Sequence, residues 1–281
     1  MAARPAEEGP IRPTMAHLAA SDGVRLAYRV DDFTDPWRAA RDPVLLLHPA
    51  MGAYRRWYAW IPILARRFPV LSLDLRGHGA SEVPDESRPP TVERLVEDVR
   101  ELLDALGVAR VHLVGVSAGG YVGQRLAIGS PDRVATLSLV ASTPGLRNSK
   151  AGSWPAEIVR LGLEPFVRAS VADRFPPDAD PGLVDWFCRQ AGGNDPGWII
   201  PFVAHMASRD WTEELPRIAC PTLLIAPGEE PIGAHDQYEA MRRLIPRAEL
   251  LTYAGMPHNL GDAAPERCAR DVLAFLERQG A

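Results

Sequence analysis

Lysine is nearly missing from this chain: Lys150 stands alone among 31 basic residues. The bias is read as genome composition rather than as arginine-specific recognition. Acidic residues number 36, so the formal net charge is -5. A mildly acidic protein gives no electrostatic reason to expect nucleic acid or an anionic membrane as a partner. Cysteine is scarce too. Cys188, Cys220 and Cys268 are odd in number and far apart. They offer neither the paired spacing of a zinc site nor a disulfide framework. They read as small buried apolar residues in a reducing compartment, which makes a cytoplasmic location the expectation. No apolar run approaches the roughly 18 residues of a membrane span. The opening MAARPAEEGPIRPT carries acids and prolines where a signal peptide needs apolar residues, so residues 1–14 are expected to form a disordered tail. No metal-binding cluster or phosphate loop is visible, and no cofactor is expected.

What is present is ordinary for a globular protein. Apolar residues make up 46% and charged residues 24% of 281 positions, enough to argue against disorder over most of the length. Short apolar runs at 16–20, 24–30, 44–48, 70–74, 111–116, 135–141, 222–226 and 248–254 read as strands. Helical patterns lie near 56–68, 91–106, 118–129, 235–245 and 265–279. In the second of these Thr91 can cap the helix, Leu95, Val99, Leu102, Leu103 and Leu106 form its apolar stripe, and Gly107 ends it. Strands alternating with helices predict an α/β protein with about eight strands in a mostly parallel sheet, flanked by helices. The first strands have no helices between them, so that edge is expected to be antiparallel.

The alternation fails over 144–216, a stretch with no good strand that holds Trp154, Trp186, Trp198 and Trp211. It is expected to be a helical lid inserted into a core formed by 15–143 and 217–281. A lid would sit over the carboxyl ends of the strands, where open α/β sheets bind ligands.

Chemistry concentrates in three loops. In LVGVSAGGYVGQRLA (113–127) a strand runs directly into a helix through Gly115-Val116-Ser117-Ala118-Gly119. Small residues at 115 and 119 allow a sharp, strained turn that lifts the Ser117 hydroxyl above the sheet. A serine hydroxyl needs a base. Of seven histidines, His17 and His112 lie in strand patterns, and His205 and His235 on helical or loop surfaces. His258 follows the last strand, in GMPHN, on the sheet edge that Ser117 occupies, and is the expected base. An acid should follow the penultimate strand. Its loop offers Glu229, Glu230 and, at the start of the next helix, Asp236. Glu230 precedes Pro231, which favours extended backbone, so Glu229 and Glu230 point to opposite sides and only one can face the histidine. Glu230 is the choice, with the other two open. An oxyanion hole is expected from the backbone N–H groups of Ala118 and Ala50, the latter following the strand that ends in His48-Pro49. Tyr54, Trp57, Tyr121, Trp154 and Trp186 are the candidate apolar wall of a substrate site.

These segments together resemble the α/β-hydrolase family. The resemblance runs from about residue 16 to the end. It rests on His48 to Gly52, DLRGHGAS (74–81), the GVSAGG elbow, PTLLIA with an acid before Pro231, and GMPH. It implies the doubly flanked sheet, a Ser117–His258–Glu230 triad, and loop-holding roles for Arg76 and His78. The segment over 144–216 is similar to the lids of 3-oxoadipate enol-lactonase-like esterases and lactonases. The sequence departs from the family pattern twice, with glutamate where aspartate is usual at 230 and proline for glycine at 49. Serine at the elbow separates it from the dehalogenase and epoxide-hydrolase branches, which use aspartate there.

The expected function is therefore hydrolysis of a small-to-medium ester or lactone through an acyl-enzyme. Cofactor-independent C–C hydrolysis of a diketone-like substrate and perhydrolase or haloperoxidase-like chemistry are the rivals, and a ligand receptor is the non-enzymatic alternative. The expected partner is a small molecule. The sequence fixes no oligomeric state.

Overall fold

Short segments buried along their whole length, such as 44–47, 111–116 and 222–227, call for a sheet covered on both sides. The computed structural model, which describes residues 15–37, 39, 41–146, 149–233 and 236–280, has that arrangement. The tail 1–14 and His235 lie outside the described residues. The strands are β1 (Ala16–Ala19), β2 (Arg25–Asp31), β3 (Val44–Leu47), β4 (Val70–Leu73), β5 (Val111–Val116), β6 (Val134–Val140), β7 (Thr222–Pro227) and β8 (Ala248–Tyr253). They form one sheet in the order β1-β2-β4-β3-β5-β6-β7-β8. The β1–β2 and β2–β4 pairings are antiparallel, and every other pairing is parallel. The loops that leave β3, β5, β7 and β8 therefore emerge at one end of the sheet.

The helices are α1 (Ile61–Leu64), α2 (Val92–Ala105), α3 (Ala118–Gly129), α4 (Trp154–Leu161), α5 (Leu163–Ala169), α6 (Pro181–Gly192), α7 (Pro196–Ala207), α8 (Asp236–Leu244), α9 (Leu260–Ala263) and α10 (Pro265–Arg278). Thr91 caps α2 by accepting from the Arg94 N–H at 3.1 Å. Gly107 then turns the chain out of it in the left-handed region, at φ +66°. Alternate strand residues divide between two cores, as a two-residue period requires. Leu45, Leu47, Leu113 and Leu137 pack with α2, α3 and α8. Val44, Leu46, Val114 and Ile225 pack with Trp60, Phe68 and α10 on the other face.

Helices α4 to α7 occupy the stretch where the strand pattern fails. Ile158, Phe166, Phe187, Ile199 and Phe202 join these helices to the first of the two cores. A single antiparallel bridge between Gly145 and Asp210 ties the ends of the segment together. Among the described residues, no helix is long and apolar enough to cross a membrane.

The loop after β4 is held by a buried ion pair. The Arg76 Nε donates to Asp98 of α2 at 2.6 Å, and its Nη1 to Asp22 at 2.8 Å. Removing one member of a buried pair strands the other charge, which costs about 3–5 kcal/mol. Asp98→Ala should therefore lower unfolding free energy by about 3 kcal/mol, because Asp22 still covers part of the guanidinium. Urea unfolding checks this: the midpoint should fall while the slope is kept. An unchanged midpoint would show that the pair adds nothing.

Candidate active site

The chain turns from β5 into α3 at Ser117, whose φ of 49° is rare for a side-chain-bearing residue. Ser117 N donates to Val140 O at 2.9 Å, and Ser142 Oγ donates to Ser117 O at 2.8 Å. The turn needs room that only glycine leaves. A Cβ on Gly119 would lie 2.1 Å from Leu47 O, and one on Gly115 would lie 2.5 Å from the Gly120 Cα. The spacing of glycines around Ser117 is thus a packing requirement between β3, β5 and α3.

The histidine arrives from β8. His258 Nε2 stands 3.1 Å from Ser117 Oγ, and its Nδ1 lies 2.9 Å and 3.0 Å from the two oxygens of Glu230. An ionised carboxylate only accepts, so Nδ1 carries the proton and Nε2 is left as the acceptor facing the serine. Glu230 is itself held on three sides. Its Oε1 accepts from Ile232 N at 3.0 Å and Gly233 N at 2.9 Å, and its Oε2 accepts from the Tyr238 hydroxyl at 3.1 Å. Burial alone would raise its pKa, but the charge and hydrogen bond of His258 and the two backbone donors outweigh it and bring the value down to about 2.

The rivals for the acid stand elsewhere. Glu229 and Asp236 are exposed, the former beside Glu230 and the latter at the start of α8. The other described histidines are committed or remote. His48 Nδ1 donates to Pro49 O at 2.8 Å while its Nε2 accepts from Leu75 N at 2.9 Å. His78 is buried against Phe202, with ring centroids 4.9 Å apart. His112 pairs with Thr136, His205 accepts from Val92 N, and His17 is exposed on β1.

Ala50 and Ala118 both line a small cavity above Ser117. As the first residue of α3, Ala118 has an N–H with no intrahelical acceptor. The Ala50 N–H is aimed by the peptide before it. Pro49 O is held by His48 Nδ1 at 2.8 Å and by Gly52 N at 3.0 Å. In a trans peptide the following N–H points to the opposite side. The helical segment steadies this loop as well, since Gln190 Nε2 and Asn194 Nδ2 donate to Met51 O at 3.3 and 3.2 Å.

The cavity is small, with a volume of about 30 Å³. Of the five aromatics expected in its wall, Tyr121 and Trp154 are there. The other three are not. Trp57 is one short helical turn past Tyr54 and dives under the opposite face of the sheet, edge-on to Trp60 at 5.4 Å. Tyr54 faces a separate open groove beside Asp74, Gly77 and His78. Trp186 packs outside, edge-on to Tyr58 at 5.8 Å. Aromatic content alone does not say which side of a helix meets a cavity. The wall is completed by Phe202, Val203 and Met206 of α7 with Leu146 and Ile232, none of which the sequence pattern singled out. Tyr238 was missed too. Its signal was its place on α8, one turn after the acid loop.

A family model described as the alpha/beta hydrolase fold matches residues 42–192. The chain belongs to the α/β-hydrolase family. This α/β-hydrolase is 36% identical over 254 residues to a Caulobacter segnis protein provisionally named carbamate hydrolase RutD, covering 85% of this chain and 92% of that one. It is 30% identical over 196 residues to 3-oxoadipate enol-lactonase 2 of Acinetobacter baylyi, covering 68% and 72% of the two chains. Among solved structures, a hydrolase from Pseudomonas aeruginosa superposes with a TM-score of 0.82 at 35% identity, covering 93% of this chain and 98% of that one.

Proposed function

We propose that this α/β-hydrolase cleaves an ester or lactone of a small-to-medium molecule through an acyl-enzyme on Ser117. The observation that carries the reading is the unbroken run of contacts from Ser117 Oγ to His258 at 3.1 Å and from His258 to Glu230 at 2.9 Å. His258 Nε2 takes the serine proton as Oγ attacks the substrate carbonyl. The carbonyl oxygen becomes an oxyanion, and the Ala50 and Ala118 N–H groups receive it; one such donor is worth about 3–4 kcal/mol in the transition state. The C–O bond breaks as His258 returns its proton to the leaving oxygen. Water then repeats the steps in reverse on the acyl group and frees Ser117. Glu230 keeps the imidazole oriented and stabilises its charged form without taking the proton. Helices α4 to α7 serve as the lid, supplying the cavity wall opposite the serine.

The name of the Caulobacter relative points to carbamates, which would use the same acyl chemistry with a different leaving group. A fluorophosphonate probe followed by intact-mass measurement tests the reading. One adduct is expected, mapping to Ser117, together with turnover of short esters, lactones or carbamates. A folded protein that neither labels nor turns over any of them would leave only the receptor reading. Peroxide-dependent turnover in place of hydrolysis would move it to perhydrolysis, and cleavage of diketones alone would move it to C–C hydrolysis.

A further inference from the structure

The loop from His48 to Tyr54 carries the Ala50 N–H, and its backbone is held under constraint. Met51 within it has a φ of 58°, a region that a side-chain-bearing residue rarely enters and keeps only where its surroundings hold it. The segment that leaves β4 grips this loop at both ends. At the entrance Leu75 N donates to His48 Nε2 at 2.9 Å. At the exit Tyr54 N donates to Asp74 Oδ1 at 2.5 Å. Neighbours in sequence, Asp74 and Leu75, thus pin the two ends of one strained loop.

Asp74 is wholly buried, and main-chain N–H groups rather than a cation bond its carboxylate. Its second oxygen accepts from Ala80 N at 2.8 Å. The turn at Gly79, with φ 58°, closes directly on that oxygen, and a Cβ there would lie 2.2 Å from it. The main chain is fixed as well, since Asp74 N donates to Ala27 O at 2.9 Å. Burial pushes the carboxyl up to about 6 against the pull of the two N–H groups, so it is charged at pH 8. Tyr54 opens a short helical turn, where an N–H has no intrahelical acceptor, and Ala53 in the capping position offers no side-chain oxygen. Serine or asparagine at 53 would cap that turn locally. The acceptor comes instead from a side chain twenty residues away. A local cap would satisfy the N–H, but it would not tie the exit of the loop to the segment that already holds its entrance.

We infer that Asp74 is a positioning residue, which fixes the Ala50 N–H toward the oxyanion by clamping the exit of its loop through Tyr54 N. It does not line the cavity above Ser117 and borders the separate groove that Tyr54 faces. The inference rests on the acyl-enzyme reading above, with Ala50 as one of its oxyanion donors. The effect of the clamp falls on the transition state, because the carbonyl oxygen gains its charge only there.

Asp74→Asn keeps the size of the side chain but has one oxygen for two N–H groups. In single-turnover acylation by p-nitrophenyl acetate at pH 8, counted per site that a fluorophosphonate labels, its rate should fall by about tenfold or more. Loss of an oxyanion donor outright costs about 10²–10³, which sets the upper end. The ester concentration giving half the maximal rate should change by less than about threefold. A trifluoromethyl ketone, which adds to a serine hydroxyl and places an oxyanion in the hole, should bind more weakly by about the same factor as the rate. Tyr54→Pro removes the N–H from the other side of the bond. Proline is tolerated at the first residue of a helical turn, and Ala53 is already extended (φ -164°, ψ 170°), as the residue before proline must be. Compared with Tyr54→Ala, which keeps the N–H, Tyr54→Pro should show the same losses, and adding Asp74→Asn to it should cost little more. A purely structural carboxylate would lower the melting temperature and the fraction of labelled sites, yet leave the rate per site and the ketone affinity within about twofold of the wild type. That result overturns the inference, and so does a Tyr54→Pro variant that matches Tyr54→Ala. If Asp74→Asn does not fold, the Tyr54 pair decides alone. Failure of the acyl-enzyme reading looks different, since the wild type itself would then neither label nor turn over the ester.

Discussion

Ser117→Ala should reduce ester turnover by about a millionfold in a protein that still folds, the scale on which loss of a serine nucleophile acts in a related mechanism. The size follows from the geometry. With Oγ gone, the His258 Nε2 that now lies 3.1 Å from it has no proton to take. The oxyanion donors would remain and should leave some rate above that of water alone. The measurement is single-turnover kinetics on a short ester, with circular dichroism to establish folding. Residual turnover within a hundredfold of the wild type would mean that Ser117 is not the nucleophile. His258→Ala belongs to the same unit and should not add to the loss in the double variant.

Glu230→Gln should lower turnover by about 10⁴-fold, as the amide swap does in a serine protease triad. An amide can present its N–H₂ to Nδ1 and so favour the tautomer that turns a ring proton toward the serine. Glu229→Gln, one residue away but exposed, should change turnover little. A collapse in the Glu229 variant with survival of the Glu230 variant would reverse the assignment. The carboxyl also leaves a mark on stability. Its pKa is about 2 in the folded protein against an ordinary 4.5. Its ionised form therefore adds stability that is fully present above about pH 4.5 and is lost as the pH falls toward 2. Acid melting curves of the wild type should show this component, and those of Glu230→Gln should lack it.

The strands were legible because each is a short run bounded by turns, and the antiparallel edge because no helix separates the first two. The three site loops could be placed because parallel strands bring their carboxyl ends to one edge, whatever their distance in sequence. An extended pair must point opposite ways, so only one of Glu229 and Glu230 could face His258, and the resemblance to the family pattern pointed to Glu230. The cavity wall was harder to read. In Ile199 to Met206 apolar residues fall on nearly every face of α7, so periodicity could not tell that Phe202, Val203 and Met206 face Ser117 while Ile199 fills the core. Trp57 and Trp186 stood out for size and rarity, and neither property carries direction. Tyr238 lies on the helix that follows the acid loop, but its place there does not say that its hydroxyl turns back to Glu230, eight residues earlier.

The main-chain carbonyls of Asp173 and Arg174 accept from the N–H groups of His258 and Asn259 at 3.4 and 2.9 Å. With Gln190 and Asn194 on the loop of Ala50, they make the helical segment part of the frame that holds His258 and that loop in place. The segment is therefore not an interchangeable cassette. A chimera that imports helices from a relative to change substrate range must rebuild two carbonyl acceptors at the positions of Asp173 and Arg174. It must also rebuild two amide donors opposite Met51. One that copies only the cavity wall would accept the new substrate and lose the alignment needed to act on it.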